Sequence, residues 1–209
     1  MIRSAAAGDL SERARAQRER ILVAAKRCFA ERGFHAASMA DIAKTAGMSA
    51  GLLYRYFDSK AAIVRAIIDR QMEENRCVLD EVSSASDLVP AILALYERWT
   101  QGDEARGAAA LFLDITAEAT RDPEIGDALR TADGYSRARL AEALERITGS
   151  AASPSGSVKV ADPAQVARRV LALQCAIEGL IVRAVRQPDL DRATLAGCLE
   201  TVLAAFAAG

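Results

Sequence analysis

The chain has 209 residues, 51% of them hydrophobic and 26% charged, with 27 Lys and Arg against 28 Asp and Glu. That length can bury a sizeable core in one or two domains, and that composition excludes a disordered chain. No apolar run reaches the length of a membrane span, and Met1 to Arg20 is charged and lacks an apolar signal-peptide core, so a cytoplasmic protein with no membrane contact is expected.

The pattern is helical throughout, with no convincing run of period-2 alternation. Residues 1–13 read as a loose arm. The first helix runs from about Ala14 to Arg32 and sets Ile21, Ala24, Ala25, Cys28 and Phe29 on one face. His35, the single histidine, falls in the following turn and reads as a surface residue. Ser38 caps a second helix, and Asp41 three residues later completes a capping-box pattern. Met39, Ile42, Ala43 and Ala46 form its apolar face, and Gly47 stops it. Ser49 caps a third helix, with Leu53 and Phe57 directed to the core. Two short helices joined by a Gly-containing turn are the spacing that lays the second one in a DNA major groove.

A fourth helix starts near Asp58 or Ser59 and runs to about Leu79, carrying Ile63 and Ile67 inward. Ser83 to Ser86 is a break. The fifth helix carries Leu88, Ile92, Leu95, Tyr96 and Trp99 as a stripe, and Gln101-Gly102-Asp103 breaks again. The sixth covers about Ala105 to Thr120. Asp122-Pro123 starts the seventh, which runs toward Ile147 with a soft point at Asp133-Gly134. Residues 148–161 are rich in Gly, Ser and Pro and read as a flexible loop. Asp162-Pro163 starts the eighth helix, and the ninth runs from about Asp191 to Ala208. The expectation is an all-α, nine-helix, two-domain protein. Residues 1–60 form a three-helix head, and 61–209 form a second helical domain with the fourth helix as connector.

Charge follows the same division. Residues 1–60 hold 11 Lys and Arg against 6 Asp and Glu, and the remainder holds 16 against 22. A basic head on an acidic body is the electrostatic footprint of a protein that presents one end to DNA. Cys28, Cys77, Cys175 and Cys198 show no metal-ligand spacing and sit among apolar positions, so they read as small buried hydrophobes. No metal and no cofactor is called for. With one histidine, no Gly-rich phosphate loop and no acid or nucleophile constellation, the chain offers nothing catalytic.

The upstream run Arg20-Ile21-Leu22-x-Ala24-Ala25-x-x-x-Phe29, then Gly33-Phe34, and the downstream run Leu53-Tyr54-x-Tyr56-Phe57-x-Ser59-Lys60 flank the helix pair. Together they resemble the tetracycline-repressor (TetR) family of bacterial transcription regulators, densely over residues 17–64. The resemblance implies a homodimer on palindromic double-stranded operator DNA, a small-molecule inducer, and phosphate contacts from Tyr54, Tyr56 and Lys60. Many members carry histidine where this chain has Tyr56.

The residues themselves add Ser38 and Ser49, where helix N-termini favour an anion, and Lys44 on the exposed side of the second helix. Base reading is expected from Ala50, Gly51, Leu52 and Arg55; Arg55 is the one side chain there able to grip guanine with two bonds, the alternative being a plain phosphate contact or a solvated charge. Arg3, Arg13, Arg15 and Arg18 either reach the minor groove or form a solvated basic face.

The eighth and ninth helices are apolar nearly all round, so something must cover both sides. A partner subunit is the expected cover, through Val170, Leu173, Ile177, Leu180, Leu195, Leu199, Val202 and Phe206. The resemblance also implies an inducer cavity inside the fifth to eighth helices. Tyr96, Trp99, Phe112, Asp114, Gln174, Cys175 and Glu178 are its expected lining, for a hydrophobic or amphipathic ligand. Asp114 and Glu118, four apart, read as a solvated pair. A ligand-independent or partner-controlled DNA-binding protein would share this pattern, and a small helical enzyme is the remaining alternative.

Overall fold

The computed structural model describes residues 2–100, 105–150 and 162–207, and in them nine α-helices and no strand. They are α1 (Ile2–Arg32), α2 (Met39–Thr45), α3 (Ala50–Tyr54), α4 (Lys60–Asp80), α5 (Ala85–Thr100), α6 (Ala105–Glu118), α7 (Pro123–Ser150), α8 (Pro163–Arg186) and α9 (Arg192–Ala207).

Local chemistry sets most of the boundaries. Ser38 Oγ accepts the Asp41 amide at 3.1 Å while Asp41 Oδ2 accepts the Ser38 amide at 3.1 Å, a complete capping box at the start of α2. Ser49 Oγ takes the Leu52 amide at 3.2 Å, and Ser59 Oγ takes the Ala62 amide at 3.0 Å. Asp122 and Asp162 cap α7 and α8 just ahead of Pro123 and Pro163, whose missing N–H costs nothing at a first helical position. Gly33 and Gly47 end α1 and α2 with φ of 78° and 62°, left-handed values that glycine adopts without strain.

Two expectations about helix extent are corrected. Residues 2–13, expected as a loose arm, belong to α1. Ala, Arg and Glu, which fill much of this stretch, are strong helix formers, and Asp9 and Arg13 stand four apart. The soft point at Asp133-Gly134 is also absent: α7 runs unbroken for 28 residues. Asp133 is held from both sides, by Arg137 at 2.9 Å and by the Gln174 amide of α8 at 2.9 Å. Tertiary anchoring there outweighs the weak helix propensity of one glycine. The loop expected over 148–161 lies mostly outside the described residues, α7 extending to Ser150.

Two buried clusters organise the chain. The first joins Ile21, Ala25 and Phe29 of α1 to Ile42, Leu53, Phe57 and the α4 residues Ile63, Val64 and Ile67. It continues past residue 60 into Leu111 and Ile115 of α6 and Ile125 and Ala128 of α7. The second gathers Leu88, Ile92 and Tyr96 of α5, Ala109 of α6, Leu140 and Leu144 of α7, and buried residues of α8 and α9. α6 therefore contributes to both cores. α4 packs along α7, where Arg139 pairs with Asp80 and the Arg146 guanidinium donates to Leu79 O at 2.8 Å.

The apolar faces of α8 and α9 are divided otherwise than expected. Val170, Leu173, Leu180, Leu195 and Leu199 are buried within their own chain, and Ile177 and Val202 are half-buried. The five buried residues, expected at a subunit interface, are thus taken up by the chain's own core; the Phe206 side chain lies outside the described residues. The outward face carries Leu171, 57% exposed, and Val185, 44% exposed, with Cys175, Gly179 and Cys198 also exposed. A helix apolar on two sides gives no sequence signal for which side faces home. Among the cysteines only Cys28 is buried, its Sγ 3.2 Å from Thr45 Oγ1; Cys77, Cys175 and Cys198 are exposed, against the expectation for all four.

Candidate nucleic-acid interface

α3 is only five residues long, and its two sides differ sharply. Leu53 is completely buried and Phe57, just past the helix, nearly so. Ala50, Gly51, Arg55 and Tyr54, the last 49% exposed, face out, and Leu52 is half-buried. A methyl group added at Gly51 would meet nothing within 4 Å, so the protein's own packing does not require glycine there. Small residues at the start of an exposed helix let another surface approach its backbone closely. Ser49 Oγ, having accepted the Leu52 amide, can still donate its O–H to a phosphate. Lys44 is exposed on α2.

Three expected phosphate donors are differently placed. The Ser38 hydroxyl donates to Asp41 Oδ2 at 2.6 Å, and Arg32 Nη1 lies 2.6 Å from Asp41 Oδ1. These bonds, Ser38's first, hold the Asp41 carboxyl below the usual carboxylate range. Ser38 is therefore a closed cap and not an open anion seat. Lys60 Nζ points back to the turn between α1 and α2, donating to Phe34 O at 2.6 Å and Ala37 O at 3.2 Å. It also lies 4.2 Å from the Phe34 ring centroid. Two of its three donors are spent inside the head. Burial lowers its pKa from the ordinary lysine value, and the Glu118 carboxylate opposes that shift. Tyr56 is half-buried against the head core, and its carbonyl accepts Arg18 Nη1 at 3.2 Å.

Two features escaped the sequence. Arg18 and Arg20 are engaged with main-chain carbonyls, Arg20 Nη2 donating to Gly47 O at 2.9 Å. Glu118, expected to be solvated, is only 13% exposed and pairs with His35 Nε2 at 3.0 Å, tying the end of α6 to the head. No sequence signal could find these, because the partners lie 27 or more residues apart.

In the C-terminal half, Tyr96 is buried, and burial pushes its phenol pKa up, with Asp189 adding to the shift. Gln174 is buried and donates to Asp133 Oδ1 at 2.9 Å, and Phe112 packs half-buried on the second core. Asp114, Cys175 and Glu178, expected in the cavity lining, are exposed instead. Cys175 and Glu178 sit on the side of α8 opposite its buried residues Leu173 and Leu180. The Trp99 side chain lies outside the described residues. An open, mostly apolar hollow of about 480 Å³ lies between α5 and α9, lined by Val89, Pro90, Leu93, Ala196 and Leu203 together with Ser86 and Glu200. Among the described residues no helix is long and apolar enough to cross a membrane.

The family pattern "Bacterial regulatory proteins, tetR family" matches residues 21–67, and "BetI-type transcriptional repressor, C-terminal" matches residues 91–208, more than half of the chain. The transcriptional regulator UidR of Escherichia coli K12 is 35% identical over 126 residues, which span 58% of this chain and 61% of UidR. Among solved structures, Salmonella enterica GusR is 28% identical, with a TM-score of 0.68 over 90% of this chain and 95% of GusR. A TetR-family regulator from Mesorhizobium loti shares the fold at 20% identity, with a TM-score of 0.72 over 94% and 97% of the two chains.

Proposed function

Since the chain belongs to the tetR family of bacterial regulatory proteins, we propose that it is a homodimeric transcriptional repressor that reads operator DNA with α3. A hydrophobic or amphipathic small molecule, bound in the helical sensor half, releases it from the operator. The observation that carries this reading is the division of α3: Leu53 locked into the core, and Ala50, Gly51, Tyr54 and Arg55 turned outward from a Ser49-capped start. Arg55 supplies the bidentate grip on guanine, Ala50 and Leu52 apolar contact to a thymine methyl, and Tyr54, Ser49 and Lys44 the phosphate contacts. Catalytic turnover plays no part, and the chromosome it acts on places it in the cytoplasm.

Two recognition helices read half-sites about 34–36 Å apart, or a near multiple, which requires a two-fold dimer. The outward face of α8 and α9, with Leu171, Cys175, Gly179, Val182 and Cys198, supports a second copy as its cover. A ligand acts by preferring a state in which the two heads are out of register. α6 supports this route: Ala109 sits in the sensor core, while Leu111, Ile115 and the Glu118–His35 pair belong to the head. The fourth helix, expected to be the connector, shares that task.

Selection of genomic fragments by the purified protein tests the reading. A two-fold symmetric consensus is the expected result, and Arg55→Ala should relax one position per half-site by about 1–3 kcal/mol. Recovery of fragments with no shared sequence would refute sequence-specific regulation. An unchanged consensus from Arg55→Ala would reduce Arg55 to a phosphate or solvent contact.

A further inference from the structure

We propose that Arg18, Arg20 and Lys60 are positioning residues that fix the pose of the recognition helix through backbone carbonyls, one brace at each turn of the head. This rests on the DNA-binding reading above. Lys60 holds the turn between α1 and α2 at Phe34 O and Ala37 O. Arg20 holds the turn between α2 and α3 at Gly47 O, 2.9 Å away. Arg18 holds the turn between α3 and α4 at Tyr56 O, 3.2 Å away, with its guanidinium 4.4 Å from the Phe57 ring centroid.

The arrangement has a physical basis. A carbonyl in a turn has no helix ladder to join, so it is open to water or to a donor from another element. A charged donor makes a stronger bond than a neutral one, and an aromatic face beneath it fixes where the cation sits. α3 is too short to hold its own orientation: five residues supply barely one turn of backbone bonds. Its angle to the head is set by Leu53 and Phe57 from below and by Arg20 and Arg18 at the turns before and after it, while Lys60 holds the turn that leads into α2. Two of the three braces start on α1, 27 and 38 residues from their acceptors, so the longest helix of the head carries the frame.

The assignment makes a prediction opposite to that for a phosphate contact. Removing a phosphate-bound cation weakens specific and nonspecific DNA alike and lowers the salt slope by about 0.9 for each phosphate no longer neutralised. Removing a brace lets α3 tilt, which harms only the operator, where side chains must meet base edges. Arg18→Met, Arg20→Met and Lys60→Met keep an unbranched apolar stem and lose the charged donor. Each should lower operator affinity by tenfold or more, with random-duplex affinity and salt slope holding within about twofold between 50 and 200 mM salt.

Arg20→Lys, which keeps a donor, should recover part of the loss. Gly47→Ala supplies a test that removes no charge, because its new methyl would stand 2.7 Å from Arg20 Nη2 and push the guanidinium aside. It should reproduce the Arg20→Met phenotype, and it serves equally if a Met variant fails to fold. Parallel loss on both DNAs with a shallower salt slope, or full operator affinity in Gly47→Ala, overturns the inference. A wild-type protein that prefers no sequence overturns the DNA-reading proposal itself, so the two failures are distinguishable.

Discussion

A single methyl group at Gly47 probes both the backbone of the helix-turn-helix and its Arg20 brace. Gly47 has φ +62°, and an L-residue held in that region costs about 1–2 kcal/mol. The added methyl would also lie 2.7 Å from Arg20 Nη2 and displace the bond to Gly47 O. That bond is solvent-exposed, so its loss adds no more than about 1 kcal/mol. Gly33 is the internal control: its φ is +78°, but a methyl there meets nothing within 4 Å. Gly33→Ala should therefore cost about 1–2 kcal/mol and Gly47→Ala up to about 3, a melting-temperature drop of roughly 2–4 °C per kcal/mol at this chain length. The assay is urea denaturation at fixed protomer concentration on both variants, on Arg20→Met and on the Gly47→Ala/Arg20→Met double variant. The excess of Gly47→Ala over Gly33→Ala should vanish in the Arg20→Met background, a coupling of about 0.5–1 kcal/mol. An excess that survives without Arg20, or a Gly47→Ala variant as stable as wild type, would refute the reasoning.

The outward face of α8 predicts that Leu171→Asp gives a folded monomer by light scattering and circular dichroism, because a charge would be buried unpaired in the dimer. Leu180→Asp should unfold the chain instead, since Leu180 is buried in its own core; a dimer that survives Leu171→Asp would put the interface elsewhere. In the same dimer Cys77 should react with a thiol reagent while Cys175 and Cys198 are protected, and equal labelling of all three would count against that face. Hydrogen bonds from Ser84 and Ser83 lower the Asp87 carboxyl from 3.8 to about 2, so the stability it contributes is present above pH 4 and lost as pH falls toward 2. Urea midpoints of wild type and Asp87→Asn should therefore converge between pH 4 and pH 2, and a gap that stays constant would contradict the shift.

The sequence by itself determined what short-range chemistry controls. Ser38 with Asp41, Ser49, Asp122 with Pro123 and Asp162 with Pro163 mark helix starts because a cap bonds an amide two or three residues away. Gly47 marks the turn because its left-handed φ is a property of that residue alone. Periodicity placed Leu53 and Phe57 inside and Ala50, Gly51 and Arg55 outside, as they are found, whereas Leu52, expected outside with them, is half-buried.

Tertiary structure decided where long or ambiguous side chains went. Lys60 read as a phosphate contact, Arg18 as part of a basic arm, and nothing gave Arg20 a role; the carbonyl acceptors of all three arrive only when α1, the turns and α4 are packed together. Glu118 looked solvated until α6 brought it to His35, and Asp133-Gly134 looked like a soft point until Asp133 was held by Gln174 and Arg137. For α8 the apolar residues encircle the axis, so periodicity could not say whether Leu173 or Leu171 faces home. The packing of α5, α6 and α7 against one side settled it, burying Leu173 completely and leaving Leu171 57% exposed. A helix amphipathic on one side declares its orientation, whereas one apolar on two sides leaves the choice to its neighbours.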